Sequence, residues 1–463
     1  MWATPHRTVY LLMSRCSVLN FTEKTKQSFN IVADHLLALL KKDEAANVNL
    51  HAEESLFVRF NANKVRQNTH VEQRSLTLTL QKDGKTANIN FSITGEIDED
   101  KQRVEFWLDQ ARQECALLPE DPYQVAIVNN GTSDSTFKGS LLKDEEVIKA
   151  ITTPATGADF AGLYCAGPII SANKNSAGQS HWFATENFFV DYSLYMGEKA
   201  VKSIYAGTHW DQKEFEANIA QSKNQLSLMD RPKKVLQPGA YRTYLAPGAV
   251  AELASMFSWG ALSFNAYKQG GSALMKLADK EKSLSPLFSV RENYAMGLTH
   301  RYNSLGELAP ETLKLISNGQ LDSYVISSRS AKEYGVEGNA GDSHEGPRAM
   351  EILPGSLKKD DILKELGTGL YLSNLHYLNW SDRLNARITG MTRYACFWVE
   401  NGEIVAPIAD LRFDESLFDC LGENLLAVTD FQEVDPMVST YESRALGGKK
   451  VPGMLIKDFK FTL

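Results

Sequence analysis

The sequence predicts an α+β chain of several domains, built from antiparallel sheets and packed helices. Three observations carry this. Apolar residues alternate singly at Leu76, Leu78 and Leu80, and again at Ala87, Ile89, Phe91 and Ile93, on either side of Asp83-Gly84. A period of two around such a turn pair is a half-buried hairpin. Spacings of three and four flank it, in Phe29, Val32, Leu36, Leu39 and Leu40 before and in Val104, Trp107, Leu108, Ala111 and Cys115 after, which is the period of amphipathic helices. The 463 residues are enough for two or three domains and a large core.

In order, residues 26–42 form a helix, 54–60 a strand, 76–93 the hairpin and 99–118 a helix ended by Pro119 and Pro122. Residues 123–142, rich in Asn, Ser, Thr and Gly, form a polar connector, and 144–151 a short helix. Strands at 158–171 and 181–194 meet at a tip at 172–178. A strand at 199–206 precedes a helix that Asp211 caps, ending near Leu228. Beyond Val235 come a strand at 241–245, a strongly apolar helix at 249–262 and a strand at 322–328. Ser356 can cap a helix at 358–366, with Asp360 and Asp361 in its first turns and Gly367 at its end. A buried strand follows at 369–373, then an irregular polar segment. A hairpin of 394–399 and 403–408 turns at Asn401-Gly402. The last strand is 451–463. The division implied is 1–48 leader and helix, 49–122 first α+β domain, 123–234 middle β-rich domain and 235–463 C-terminal domain.

Composition excludes some classes. Hydrophobic content of 43% and charged content of 23% are ordinary for a globular protein. A net charge of −8 argues against direct nucleic-acid contact as the main purpose. No apolar run approaches the ~20 residues of a membrane span. Residues 9–13 are apolar but Ser14 and Arg15 break the run, too short for a secretory core. A leader, with Met13 as a candidate start, is the expectation. Cys16, Cys115, Cys165, Cys396 and Cys420 form no C-x-x-C pair, which fits free thiols in a reducing cytoplasm.

Residues 353–430 carry the most specific text. A P-G-S start, a helix, G-x-G-L-Y, a polar Asn/Trp/Ser segment, T-G, T-R and the run Trp398-Val399-Glu400-Asn401-Gly402-Glu403-Ile404 follow one another. This order resembles the C-terminal part of the TldD/PmbA family, and from residue 50 onward the blocks resemble that family's domains in pattern. The resemblance implies a TldD/PmbA-like fold and a PmbA/TldE-like member of a cytoplasmic bacterial peptide-processing system. In that family a zinc-protease subunit pairs with a related subunit that lacks the zinc site. Catalytic members carry H-E-x-x-x-H on a helix early in the third block and a distal cysteine. Counting back from Ser272 sets Ser255, Met256 and Gly260 where His, Glu and His would stand. No histidine lies between His209 and His300, and no cysteine follows Cys420. The expectations are therefore no catalytic residue, metal or cofactor in this chain, and zinc in a TldD-like partner. A heterodimer with that paralogue, or a homodimer, would take unfolded peptides. Val250, Leu253, Phe257 and Leu262 make the helix read as core.

Other candidates are weaker. His344-Glu345 is followed by Gly346-Pro347, which breaks any helix and supplies no second ligand. His209 near Asp211 reads as a loop residue before a capped helix. Gly367-x-Gly369 follows a helix instead of opening one, so it is no dinucleotide fingerprint. His376, Asn379, Trp380, Asp382, Arg383, Thr392 and Arg393 form the richest polar-aromatic cluster. The family resemblance makes them substrate-contact candidates; the alternative is a structural loop whose aromatics pack and whose Asp382 pairs with Arg383 or Arg393. Two other functions stay open. One is a stand-alone regulatory protein, as in the family's older name, modulator of DNA gyrase. The other is an enzyme using the 376–393 cluster.

Overall fold

A computed structural model describes residues 20–462. The expected leader, with Met13 and Cys16, lies outside them. Among the described residues the strands form two sheets, one of seven strands and one of eleven, and the helices pack on them. The chain is α+β, as its patterns predict.

The first sheet is built on β1 (Ala45–Asn61). Its neighbours are β2 (Lys64–Lys82), β3 (Lys85–Ile93), β4 (Thr132–Phe137), β5 (Asp159–Asn175), β6 (Ser180–Met196) and β7 (Lys199–Gly207). β1 pairs antiparallel with β2 on one edge and β5 on the other. The Asp83-Gly84 turn has both residues at positive φ, 50° and 73°, as a tight hairpin of this twist requires. Because side chains alternate, the even residues of β1 share one face. Val48, Leu50 and Ala52 pack under α1 (Phe21–Ala38) and α2 (Ile97–Leu117). Leu56, Val58 and Phe60 pack under α3 (Asp144–Thr152) and α4 (Gln212–Leu228). Asp211 caps α4, accepting from the Lys213 and Glu214 amides. Each fully buried aliphatic side chain contributes about 2 kcal/mol.

The odd face of β1 is polar and turns toward the C-terminal half. Asn47 and Asn49 donate side-chain hydrogen bonds to the Ser304 carbonyl at 2.8 and 2.9 Å.

The second sheet comprises β8 (Gly239–Leu245), β9 (Val290–Asn293), β10 (Thr312–Ser317), β11 (Gln320–Leu321), β12 (Ala349–Ile352), β13 (Gly369–Asp382), β14 (Arg387–Glu400), β15 (Glu403–Pro407), β16 (Arg412–Ser416), β17 (Leu425–Pro436) and β18 (Gly448–Phe461). β8 pairs with β13, β13 with β14, β14 with β16, β16 with β18, and β18 again with β8. These five strands close a ring. Helix α5 (Pro247–Met256) is buried with it in one core, including Leu253, Leu372, Ile388, Phe413 and Ile456.

Several expectations are corrected. The apolar helix ends at Met256 and is followed by a wider turn, Phe257–Ala261, in which Trp259 and Gly260 leave helical geometry. Residues 322–328 form no strand; Ser327 caps the helix Ser328–Tyr334. The polar segment 376–393 is not irregular: β13 and β14 run through it as a hairpin, with register shifts at residues 372–374, 376–379 and 380–382. Within the expected connector, β4 adds to β6 in parallel. The helix near 358–366 opens on a tight turn, Lys359–Asp361, preceded by Lys358, with no side-chain cap from Ser356. No helix among the described residues is long and apolar enough to cross a membrane.

Candidate functional site

The turn after α5 borders a cleft that both halves of the molecule line. Ser255 lies in the last turn of α5, and its hydroxyl bonds back to the Ala251 carbonyl at 3.0 Å, a common habit of helical serine. The Lys449 ammonium donates to the same hydroxyl at 2.9 Å and is 3.0 Å from Asp435. Met256 points into the core and is 1% exposed. Gly260 has φ 79°, and a side chain built there would stand 3.9 Å from the Arg383 guanidinium.

These residues do not fit zinc. A protein zinc site takes imidazole, thiolate or carboxylate donors at about 2.0–2.3 Å. Here the three positions offer a hydroxyl, a buried thioether and no side chain. An ammonium already occupies the hydroxyl, and its charge opposes a divalent cation. Among the described residues no three His, Cys, Asp or Glu side chains lie together as a metal group.

Glu345 has a structural part. It is 2% exposed and accepts from the Asn265 and Ser327 amides at 2.6 and 2.9 Å, and from the Ser263 and Ser327 hydroxyls at 2.8 Å each. Burial opposes its charge, but the hydrogen bonds prevail and hold its carboxyl below the usual value. His344 is exposed. His209 is exposed too, its ring Nδ1 2.9 Å from the Thr208 hydroxyl, while the Asp211 carboxylate serves the α4 cap.

Next to the turn, Ser258 borders a cleft of about 600 Å³ between the two halves. The first sheet contributes Asn49, His51, Ser75 and Thr77; the C-terminal half contributes His300 and Arg348 among others. Tyr302 stacks between two imidazoles, 5.0 Å from His181 and 4.4 Å from His300. His300 donates through Nδ1 to the Tyr302 carbonyl at 2.6 Å. Burial, helped by the nearby Arg348, His51 and His181, pulls its pKa down to about 3, so the ring is neutral at pH 7. Sequence spacing gave no sign of this ladder: His300 and Tyr302 share one loop, but His181 comes from β6, far earlier in the chain.

The predicted cluster at 376–393 lies on the β13–β14 hairpin, and none of its seven residues is among the side chains lining the cleft. They divide by direction. Thr392 is 1% exposed and its hydroxyl accepts from the Leu411 amide at 2.9 Å. Trp380 packs on the core. Asn379, Asp382, Arg383 and Arg393 are exposed at the hairpin's outer part. Asp382 caps its tip and accepts from the Asn385 side chain at 2.6 Å, which keeps its carboxyl below the ordinary range. It pairs with neither arginine among the described residues. Arg393 lies 5.4 Å over the Tyr394 ring. His376 is half-buried, and burial, then Arg393, lowers its pKa.

With this geometry in place, likeness to known proteins can be weighed. Residues 238–463 match the PmbA/TldA metallopeptidase C-terminal domain. Over 201 residues the chain is 29% identical to a metalloprotease PmbA homolog of Haemophilus influenzae, covering 42% of this chain and 41% of that protein. The aligned stretch thus spans less than half of that relative's length. In three dimensions the chain superposes on a putative modulator of DNA gyrase from Bacteroides thetaiotaomicron with a TM-score of 0.77, at 15% identity, covering 96% of this chain and 100% of the other. It superposes on TldE from Thermococcus kodakarensis with a TM-score of 0.71, again at 15% identity, covering 95% and 100%. At that identity the structural likeness is one of fold.

Proposed function

The chain belongs to the TldD/PmbA family through its C-terminal domain, and from that premise we propose that it is the subunit of a peptide-processing pair that carries no zinc site of its own. The observation that supports this is the Ser255 hydroxyl held by the Lys449 ammonium at 2.9 Å, at a position that counting back from Ser272 sets opposite a metal ligand of the family's catalytic members. Hydrolysis at a zinc centre needs an open coordination position and a base for the bound water. Neither is available from Ser255, Met256 and Gly260. In this reading the chemistry sits on a TldD-like partner in the cytoplasm. This chain supplies walls and contacts for unfolded peptides through its interdomain cleft and, on its outer face, the 376–393 hairpin. The exposed Arg383 and Arg393 and the half-buried His376 are the contacts we assign to that hairpin.

The test is recovery of this chain from native lysate, with bound proteins identified by mass spectrometry. Recovery of an H-E-x-x-x-H paralogue in comparable amount is the expected result. Peptide hydrolysis should then require both chains and stop on chelation of zinc. Chelator-resistant hydrolysis by this chain alone would defeat the reading.

A further inference from the structure

The loop joining β17 to β18, residues 437–447, leaves its own sheet and lies across the polar face of the first one. Its base is closed by the Met437 amide, which donates to the Gly447 carbonyl at 3.0 Å. A loop with such close ends is an Ω-type strap. Its anchor is Arg444, which is 2% exposed. The Arg444 amide donates to Glu53 at 3.1 Å. Its guanidinium donates to the Ser55 hydroxyl at 3.3 Å, the Gly167 carbonyl at 3.2 Å and the Asn187 side chain. Its Nε finds no partner among the described residues. These hydrogen-bond acceptors are all neutral, and the charge of the nearby buried Glu53 offsets only part of the cost of burial. A buried charge held this way is costly, more than fastening a surface loop requires. Glu442, two residues earlier, has φ 67°, a strained position for a residue with a side chain.

Cavities open on both sides of the strap. The cleft already described holds Asn49 and His51 of β1 and Thr77 and Ser75 of β2. A smaller cavity of about 400 Å³ holds Phe57 and Arg59 of β1 and Thr69 and Gln67 of β2, beside Thr440 and Ser443 of the strap. In the β1–β2 register Asn49 faces Thr77, His51 faces Ser75, Phe57 faces Thr69 and Arg59 faces Gln67. Both cavities therefore lie on the same two strands and the same face. At about 3.3 Å per residue, the span from Asn49 to Arg59 is roughly 33 Å, the length of about ten extended residues. About half of its lining side chains are amides and hydroxyls, which suits a peptide backbone better than any single side chain.

We propose that the two cavities are halves of one groove for an extended polypeptide, bridged by the strap 437–447, with Arg444 as the latch that holds the bridge down. This rests on the peptide-binding reading above and adds a path, a length and a gate. Gln73 donates to the Glu442 carbonyl and the Arg444 amide to Glu53, so the strap rests directly on both strands; release of Arg444 from Ser55 and Asn187 lifts it, joins the two cavities and lets an extended chain in sideways.

Fluorescein-labelled peptides of repeating Ala-Ser-Leu-Asn, of about four and about twelve residues, test this by anisotropy against the full chain. Thr69→Trp, at an exposed position, fills the smaller cavity without entering the core. It should weaken the longer peptide about tenfold and leave the shorter within about twofold. Binding of both lengths unchanged, or weakened alike, would overturn the single groove. Arg444→Met keeps the side-chain length and removes the charge. The longer peptide should then associate several-fold faster, and an unchanged rate would remove the latch. If neither peptide binds the unaltered chain, the peptide-binding reading itself fails, and the groove with it.

Discussion

Glu345 takes its hydrogen bonds from partners 18, 80 and 82 positions away in sequence. Its neighbour His344 gave it the look of a fragment of a metal motif, which Gly346-Pro347 interrupts. The distant donors that decide its role left no local pattern. Glu345→Gln keeps the shape but turns an amide donor toward those same donors. The expected loss is about 2–4 kcal/mol at pH 7, measured by denaturant unfolding. The sign with pH follows from the lowered carboxyl pKa. A carboxylate held below its unfolded value contributes stability above that value and loses it as pH falls through the folded one. The gap between wild type and variant should therefore narrow below the ordinary carboxyl value of 4.5. A gap that stayed constant there would show that the charge does not matter.

Elements differed in how far they could be read. The Asn401-Gly402 hairpin was legible because its turn chemistry is local, with φ of 52° and 80° at the two residues. Helix α5 was overextended because the apolar spacing runs on through Phe257 and Leu262, and only Gly260 hints at the break. The β13–β14 hairpin was hidden by its own register shifts, each of which disturbs the alternation that marks a strand. The kink carries a prediction of its own. Introducing Ser255→His, Met256→Glu and Gly260→His together restores the residue types of a zinc motif but not a zinc site. The last position lies beyond the helix at φ 79°, and Lys449 faces the first. Calorimetric titration should show no zinc binding tighter than about micromolar. Tight stoichiometric binding would mean that the turn can re-form as helix.

Most strands of the first sheet, and β8, β15 and β18 of the second, followed from pattern, but β4, β9, β10, β12, β16 and β17 and the way the halves meet did not. Their interface joins residues from remote stretches, polar where Asn47 and Asn49 meet Ser304 and apolar where Ala395 and Phe397 enter the core of the first sheet, so no periodicity announces it. His300 makes that interface sensitive to acid. Burial, Arg348, His51 and His181 lower its pKa from 6.5 to about 3. A base lowered this way adds stability above its unfolded value and loses it as pH falls from there toward the folded one. Between the two, the molecule should lose up to ~1.4 kcal/mol per pH unit from this group. His300→Gln, which can still donate to the Tyr302 carbonyl, should flatten the fall of melting temperature below pH 6.5. Parallel curves for variant and wild type would assign the acid sensitivity elsewhere.

The closed ring of the C-terminal sheet bears on how the molecule is made. β8 starts at Gly239 and finds one of its two partners in β18, which ends at Phe461. A ribosome delivers these strands at opposite ends of the domain's synthesis. Until β18 emerges, β8 has an unpaired edge and the apolar α5 lacks part of its cover, a state prone to association. The strap is delivered just before β18, between the two strands of the final hairpin. Closing the ring and laying down the strap thus follow one another in synthesis, and a chain cut short before residue 437 would have neither the closed ring nor the Arg444 contacts.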